Sequence, residues 1–305
     1  MDEFTKAEIK KVILAGLAED LQQLGDLSSQ SAVPAGCMAR GRFLAKADGV
    51  VAGLEVAEMV FAIVNPDIKV QWTKYDGDYV TKGTYFGSVD GPAESVLTAE
   101  RLALNLMQRM SGIATQTNRM VELTRPYHTK ILDTRKTAPG LRYVDKLACV
   151  IGGGTNHRMG LYDMVMIKDN HVTAAGSITK AVDKVVSFLK SKNLYGVIPI
   201  EVETRTLGEV KEALSCLPKI NRVMLDNMVK MVDTKTSRVD TTMLSKALDI
   251  IQGAVATEAS GNITLETVSQ VAKTGVDMIS SGALTHSVTA LDISLKIKLL
   301  PSSKL

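Results

Sequence analysis

HRMGLYDMVMIKDNH, residues 157–171, holds a short apolar core between two crowded polar flanks. Met164-Val165-Met166-Ile167 reads as a short buried strand. His157 and Arg158 precede it, and Lys168, Asp169, Asn170 and His171 follow directly. A strand buried on both faces belongs to a covered, parallel sheet. Releasing a lysine, an aspartate and a histidine at its end places polar chemistry at the edge of the core.

The pattern recurs. KILD (130–133), IPIEVE (198–203), RVMLD (222–226), AVATEAS (254–260) and VDMIS (276–280) are further short apolar runs. Between most of them lie helical patterns: LRYVDKLACVI, SITKAVDKVVSFLKSK, TLGEVKEALS, TTMLSKALDIIQG and NITLETVSQVAKT. Strand and helix in alternation predict βα units and a parallel sheet. Six such strands fit a barrel better than a small open unit.

Barrel chemistry sits at the C-terminal ends of the strands. Those ends carry, in order, Thr134-Arg135-Lys136, Lys168-Asp169-Asn170, Glu201 and Glu203, Asp226-Asn227, Ser260-Gly261-Asn262, and Ser281-Gly282. Each has an ordinary reading when taken alone. Lys168 is then a rim charge, Asp169-Asn170 a turn, and His157 and His171 structural hydrogen bonders. The series of ends argues for a site.

Arg135, Lys136, Arg158 and Lys168 make the mouth cationic, with Glu201 and Asp226 as its acids; Arg142 and Lys146 read as helix-face charges. A cationic mouth with two acids points to a polyanionic substrate, plus a metal or a developing positive charge. Ser260-Gly261-Asn262 stands before a predicted helix, where free backbone N–H groups hold phosphate, and Ser281-Gly282-Ala283 forms a similar loop. Gly152-Gly153-Gly154 has neither a P-loop lysine nor dinucleotide spacing and reads as a flexible loop.

Residues 1–90 mix strands and helices without regular alternation, which predicts an α+β unit. Thr5 and Glu8 form a possible capping box, and Leu24-Gly25-Asp26 ends the first helix. LEVAEMVFAIV predicts a helix, and IKVQWTKYDGDYVTKGTYFGSVDG a pair of hairpins turning at Gly77 and Gly83. A long helix spans 93–124. DISLKIKLL alternates apolar with polar, as a half-buried strand does, and is expected to return to the N-terminal unit.

The 305 residues are 45% hydrophobic and 23% charged, enough for a large core in one or two domains. A net charge of +3 and 4% aromatics leave no footprint for nucleic acid or a membrane surface. Cys37, Cys149 and Cys216 are too dispersed for a disulfide framework or a zinc site. No apolar run is long enough to span a bilayer. The N-terminus lacks a signal core and is too acidic for a transit peptide, so the expected compartment is the cytoplasm.

LDTRKTAPGLR (132–142), GGGTNHRMGLYDMVMIKDNH (152–171), IEVE (200–203), MLDN (224–227), EASGNI (258–263) and GALTHS (282–287), with ERLALNLMQRMSGIAT (100–115), together resemble the quinolinate phosphoribosyltransferase family. The resemblance runs over most of the chain in the family's order. It implies an N-terminal α/β sandwich, residues 1–115 completed by 287–305, and an open seven-stranded α/β barrel over 116–286. It implies the joining of quinolinate to phosphoribosyl pyrophosphate with magnesium, giving nicotinate mononucleotide, pyrophosphate and carbon dioxide.

By the same resemblance, Arg135, Lys136, His157, Arg158 and Lys168 line the quinolinate and phosphate pocket. Glu201 and Asp226 face the ribose and the metal–pyrophosphate, as the expected metal-side residues. Ser260, Gly261, Asn262 and Gly282 hold phosphate, and Thr134 and Ser281 join them as strand-end contacts. Arg101 is delivered from the neighbouring subunit of a homodimer. Lys136, Lys168, Glu201 and Asp226 are the expected catalytic set. The departure is local: the family's GxGD followed by Thr is here Gln23-Leu24-Gly25-Asp26-Leu27-Ser28. The rival readings are a Schiff-base aldolase using Lys168 or Lys136, a non-catalytic anion-binding barrel, and a phosphoribosyltransferase acting on another ring.

Overall fold

The computed structural model describes residues 1–300. The chain opens with α1 (Glu3–Leu21), α2 (Leu27–Ala32), β1 (Met38–Ala45), β2 (Gly49–Val50), α3 (Leu54–Val64), β3 (Lys69–Trp72), β4 (Tyr79–Val80), β5 (Tyr85–Pro92) and α4 (Ala93–Thr124). It continues with β6 (Lys130–Leu132), α5 (Arg142–Ile151), β7 (Val165–Ile167), α6 (Asp169–Ala175), α7 (Ile178–Ser191), β8 (Ile200–Thr204), α8 (Leu207–Ser215) and β9 (Arg222–Asp226). It closes with β10 (Lys230–Asp233), β11 (Arg238–Asp240), α9 (Thr242–Ile251), β12 (Ala256–Ser260), α10 (Leu265–Ala272), β13 (Met278–Ser280), α11 (Ala283–His286) and β14 (Ile293–Leu300).

One compact unit holds Met1–Asn118, Thr137–Gly153 and, of the described residues, 284–300. Its main sheet is antiparallel, in the order β14-β1-β5-β3. Strand alternation buries Ala39, Phe43 and Ala45 of β1 and Ile293 and Leu295 of β14. Phe43 sits among Trp72, Phe86 and Phe61, at centroid distances of 4.7, 5.9 and 6.2 Å. Full burial of such a side chain contributes about 1.5–3 kcal/mol. Arg109 of α4 grips the buried Asp145 of α5 with Nε and Nη2, each at 2.7 Å.

Several expectations change in this unit. The cap of α1 is Asp2, whose carboxylate accepts the Thr5 N–H, so Thr5 and Glu8 do not form the box. α1 ends at Leu21, and Asp26 instead caps α2 by accepting the Ser29 N–H. β3 pairs with β5, and β4 pairs with β2, so the two hairpins expected from local turns give way to longer-range pairing. Lys146 is fully buried rather than a helix-face charge, because α5 packs within this unit and covers Val144, Asp145 and Lys146 together. Residues 137–153 thus cluster with the first unit, whereas the sequence placed them in the barrel. Of the expected C-terminal segment 287–305, residues 301–305 lie outside the described residues.

The second unit holds Arg119–Lys136 and Gly154–Ala283. Its sheet is parallel throughout, in the order β6-β13-β12-β9-β8-β7. β8 buries all five of its residues, as a parallel strand covered on both faces does. β6 and β7 end the sheet without pairing to each other, so the barrel is open. Six strands stand where seven were expected, and an isolated parallel bridge from Leu132 to Thr155 extends the β6 edge. The β10–β11 hairpin was not anticipated. It follows β9 and is tied to α10 through Gln270, which accepts the Val239 N–H at 3.1 Å and donates to the Ser237 carbonyl at 2.8 Å. Among the described residues, no helix is long and apolar enough to cross a membrane.

Candidate active site

Strand register places the polar side chains along the parallel sheet. Met166 pairs with Glu201, and Ile167 with Val202, so Lys168, one residue on, falls beside Glu203. Glu201 in turn pairs with Arg222, Ala256 with Arg222, and Ser260 with Asp226. Two residues advance a strand by about 6.6 Å. Glu258 and Glu203 both lie opposite Met224, so contacts rather than register divide these residues: Glu201, Arg222 and Glu258 gather with His157 as a deep group, and Lys168, Glu203, Asp226 and Ser260 form an outer one.

The deep group is a closed ion cluster. His157 Nε2 lies 3.1 Å from Glu201 Oε2 and 3.3 Å from Glu258 Oε2, and Arg222 Nη1 donates to Glu258 at 2.8 Å. Glu201 and Glu258 are fully buried and His157 nearly so. The buried Asp133 accepts the His157 N–H at 2.9 Å, pinning that segment beside β6. Burial opposes charge on the ring, but the two carboxylates outweigh it and raise its pKa to about 9. Nδ1 accepts the Arg158 N–H at 2.7 Å, so a second ring proton must displace that contact, which works against the carboxylates' pull. Burial, with Glu258 adding to it, pushes Glu201 up. Burial also opposes ionisation of Glu258, but His157, Ser280 and Arg222 prevail and hold it below the usual range.

This placement alters one expectation. Glu201 was expected to face the sugar and metal, yet it is enclosed with His157 and Glu258. The carboxylate at the mouth is Glu203, whose Oε2 takes the Lys168 ammonium at 3.1 Å. The two glutamates alternate on one strand face, and sequence alone does not say which sits deeper.

The outer group centres on a residue that sequence reasoning passed over. Arg205 donates Nη1 to Asp169 at 2.6 Å, Nη2 to Glu203 at 2.9 Å and Nε to Asp226 at 3.1 Å. Asp226 also accepts the Asn227 side-chain N–H at 2.7 Å. The Asn227 N–H donates to the Ser260 carbonyl at 2.9 Å, joining β9's end to the Ser260–Asn262 loop. Gly261 has φ +105°, and a Cβ there would lie 2.3 Å from Asn227 Oδ1, so only glycine lets this loop close over β9. Ser281 donates to the Ile263 carbonyl at 3.1 Å, setting the neighbouring loop and Gly282 after β13.

On the other side stand the cations. Thr134 Oγ1 accepts the Lys136 N–H at 3.0 Å, turning Arg135 and Lys136 outward; both are exposed. Arg158 donates to the Met164 carbonyl at 3.2 Å, within a loop whose Met159 and Gly160 N–H groups bind Asp163 at 2.6 and 2.8 Å. Burial, then the nearby Arg135 charge, pulls the Arg158 pKa down. Two guanidiniums held in each other's field attract anions. A cavity of about 440 Å³ beside β7 takes in Arg158 and His171 but none of the mouth acids. Arg101, exposed on α4, belongs to the other compact unit. Sequence reasoning also passed over Glu258, Arg222 and Asp133, although Glu258 and Glu203 each stand one strand period from a residue already singled out.

Two family models match the chain. Quinolinate phosphoribosyl transferase, N-terminal domain, matches residues 26–111, and the C-terminal domain matches 113–296. The chain is 55% identical over 294 residues to a nicotinate-nucleotide pyrophosphorylase [carboxylating], chloroplastic, of Arabidopsis thaliana, covering 95% of this chain and 83% of that protein. It is 53% identical to quinolinate phosphoribosyltransferase [decarboxylating] 1 of Nicotiana glauca, covering 95% and 82%. Among solved structures, NadC from Streptococcus pyogenes superposes with a TM-score of 0.87 at 35% identity, covering 98% of this chain and 100% of that one. The nicotinate-nucleotide pyrophosphorylase of Francisella tularensis gives 0.83 at 35% identity, covering 96% of each. With both domain models matched in order, and relatives above half identity along nearly the whole length, the chain belongs to the quinolinate phosphoribosyltransferase family.

Proposed function

We propose that the barrel mouth carries out its family's reaction through the residues at its strand ends. The enzyme transfers the phosphoribosyl group of phosphoribosyl pyrophosphate to quinolinate and decarboxylates the product to nicotinate mononucleotide, releasing pyrophosphate and carbon dioxide. The observation that carries the assignment of roles is the meeting of Lys168, Glu203 and Asp226 at adjacent strand ends, with Arg205 among them.

Arg135, Lys136 and Arg158 bind the two carboxylates of quinolinate, since a planar guanidinium grips a carboxylate with two parallel bonds. The pyridine nitrogen attacks the anomeric carbon as pyrophosphate departs, and positive charge grows on the sugar as in glycosyl transfer. Glu203 and Asp226 face that charge. The ring nitrogen, once alkylated, accepts the electrons left when the adjacent carboxylate departs as carbon dioxide, so this step needs no protein base. Ser260, Gly261, Asn262, Ser281 and Gly282 offer the loops for the donor's phosphate.

Magnesium suits the donor set. Glu203 and Asp226 are hard oxygen ligands at the mouth, and magnesium is commonly held by one or two carboxylates together with substrate phosphates. Bound there, it neutralises the leaving pyrophosphate. Glu201 lies deeper, where it, His157 and Glu258 bring three ligand atoms within 4.8 Å of one another, a separate group that could hold an ion. Arg101 completes the site of a second copy in a two-fold dimer. The proposed compartment is the cytoplasm, where the three free thiols stay reduced, and fractionation against plastid and mitochondrial markers decides it.

Incubation with quinolinate, phosphoribosyl pyrophosphate and magnesium should release carbon dioxide and nicotinate mononucleotide in equal amounts. A borohydride-trappable adduct with a carbonyl substrate would instead favour the aldolase reading.

A further inference from the structure

Arg205 has a place in this mouth that the transfer reaction alone does not explain. Its three nitrogens reach three different carboxylates, Asp169, Glu203 and Asp226, at 2.6, 2.9 and 3.1 Å. Its backbone is fixed as well: the N–H groups of Arg205 and Thr206 both donate to Glu209 Oε2, at 2.6 and 3.0 Å, in the capping box of α8. The guanidinium is therefore held from below by a helix start and from three sides by acids. Only an arginine presents donors in three directions at once from one rigid plane; a lysine offers a single point of charge.

The charges of the outer group show the consequence. Asp169, Glu203 and Asp226 bring −3, and Lys168 and Arg205 bring +2, leaving −1. Without Arg205 the balance is −3 + 1 = −2, with three carboxylates around one vacated position. That charge draws divalent cations, although the three carboxylates are spread more widely than the ligand atoms of His157, Glu201 and Glu258, which lie within 4.8 Å of one another.

We propose that Arg205 is a positioning residue that acts as a resident countercation, spacing Glu203 and Asp226 for the donor and closing the donor-free mouth to free divalent cations. One oxygen of each acid is engaged by the guanidinium, so a bare ion finds no preformed set of ligands. A cation arriving on the donor's pyrophosphate brings its own phosphate oxygens and needs only what Arg205 leaves. The mouth thus takes its metal with the donor and not before it. This inference rests on the assignment of Glu203 and Asp226 to the cation side of the site.

The test measures Mn2+ binding to the donor-free protein by the loss of free-ion EPR signal, with no turnover involved. Arg205→Ala should bind Mn2+ about tenfold or more tightly than the unaltered protein, because it removes a full charge within contact of three acids. Arg205→Gln should show the same gain if Arg205→Ala fails to fold. Arg205→Lys, which restores charge without the fork, should return Mn2+ affinity toward the unaltered value, yet leave the KM for the donor raised and the KM for quinolinate unchanged. Unchanged Mn2+ affinity in a natively melting Arg205→Ala overturns the proposal. A gain that survives the further changes Glu203→Gln and Asp226→Asn would place the ion elsewhere, and would overturn the underlying assignment of those two acids instead.

Discussion

Lys168 Nζ and Glu203 Oε2 stand 3.1 Å apart at the ends of neighbouring parallel strands, the ammonium half in solvent and the carboxylate almost wholly buried. The pair joins the cationic side of the mouth to the acids around Arg205. Lys168→Ala is expected to lower turnover by about 10²–10³-fold, the usual scale for a lost electrostatic donor. The fold should persist, since Lys168 is exposed and leaves no cavity. Steady-state kinetics beside a thermal melt checks it, and an active variant would return Lys168 to a rim charge.

Glu201 and Glu203 give the sharpest contrast. Glu203→Gln should reduce the rate of ribosyl transfer in single-turnover experiments with little effect on melting, and Asp226→Asn should do the same. Glu201→Ala should lower stability by about 3–5 kcal/mol, because it breaks a buried ion cluster around His157. Equal melting for Glu201→Ala and the unaltered protein, with only catalysis impaired, would move Glu201 back to the reacting groups.

The His157 cluster predicts a slope of stability with pH. The two carboxylates hold the ring's pKa above its ordinary 6.5, at about 9, against the opposition of burial. A raised folded pKa means the folded chain binds the extra proton more tightly than the unfolded one. The stabilisation is therefore complete below pH 6.5 and is lost as pH rises toward 9. Its size is at most about 3 kcal/mol, and the Arg158 amide at Nδ1 reduces it. Denaturant melts between pH 6 and 10 should show the fall, and His157→Gln should flatten it.

Substrate choice follows from the cations. Quinolinate carries one carboxylate more than nicotinate, and each lost charge-assisted contact costs about 1.5–3 kcal/mol, or about ten- to a hundredfold. The surplus of positive charge at Arg135, Lys136, Arg158 and Lys168 should therefore turn over quinolinate and leave nicotinate idle. Comparable kcat/KM for the two rings would sink this.

The barrel was legible because short buried strands alternate with helices that keep their period: β9 runs through Val223-Met224-Leu225 to end in Asp226, and β8 carries its two glutamates within a wholly buried strand. Depth was not legible. Glu201 and Glu203 look equivalent in IEVE, and only their partners in the folded chain separate them, His157 for Glu201 and Lys168 with Arg205 for Glu203. Arg205 escaped notice because it lies one residue past its strand, next to a cap, where an arginine reads as solvated. β3 and β4 were joined by the turn at Gly77, but sheet pairing depends on partners far along the chain. Lys146 looked like a helix-surface charge because its covering elements come from distant sequence.

Arg101 sits early on α4, exposed, and far in sequence from every barrel strand end. Its assignment to a second copy's mouth rests on family resemblance and makes a quantitative claim. In a two-fold dimer each chain would complete the other's site. Consider a hybrid of Arg101→Ala with Lys168→Ala. If Arg101 acts across the interface, one site has both residues intact and the other has neither. If it acts within its own chain, both sites carry one defect and stay dead. Equal mixing and random re-pairing make about half the dimers hybrid, with half their sites restored, so about a quarter of full activity should return. Differently tagged chains, captured together, establish that exchange has occurred. Captured hybrids with no activity would rule out the shared site and leave Arg101 as a charge on a helix face.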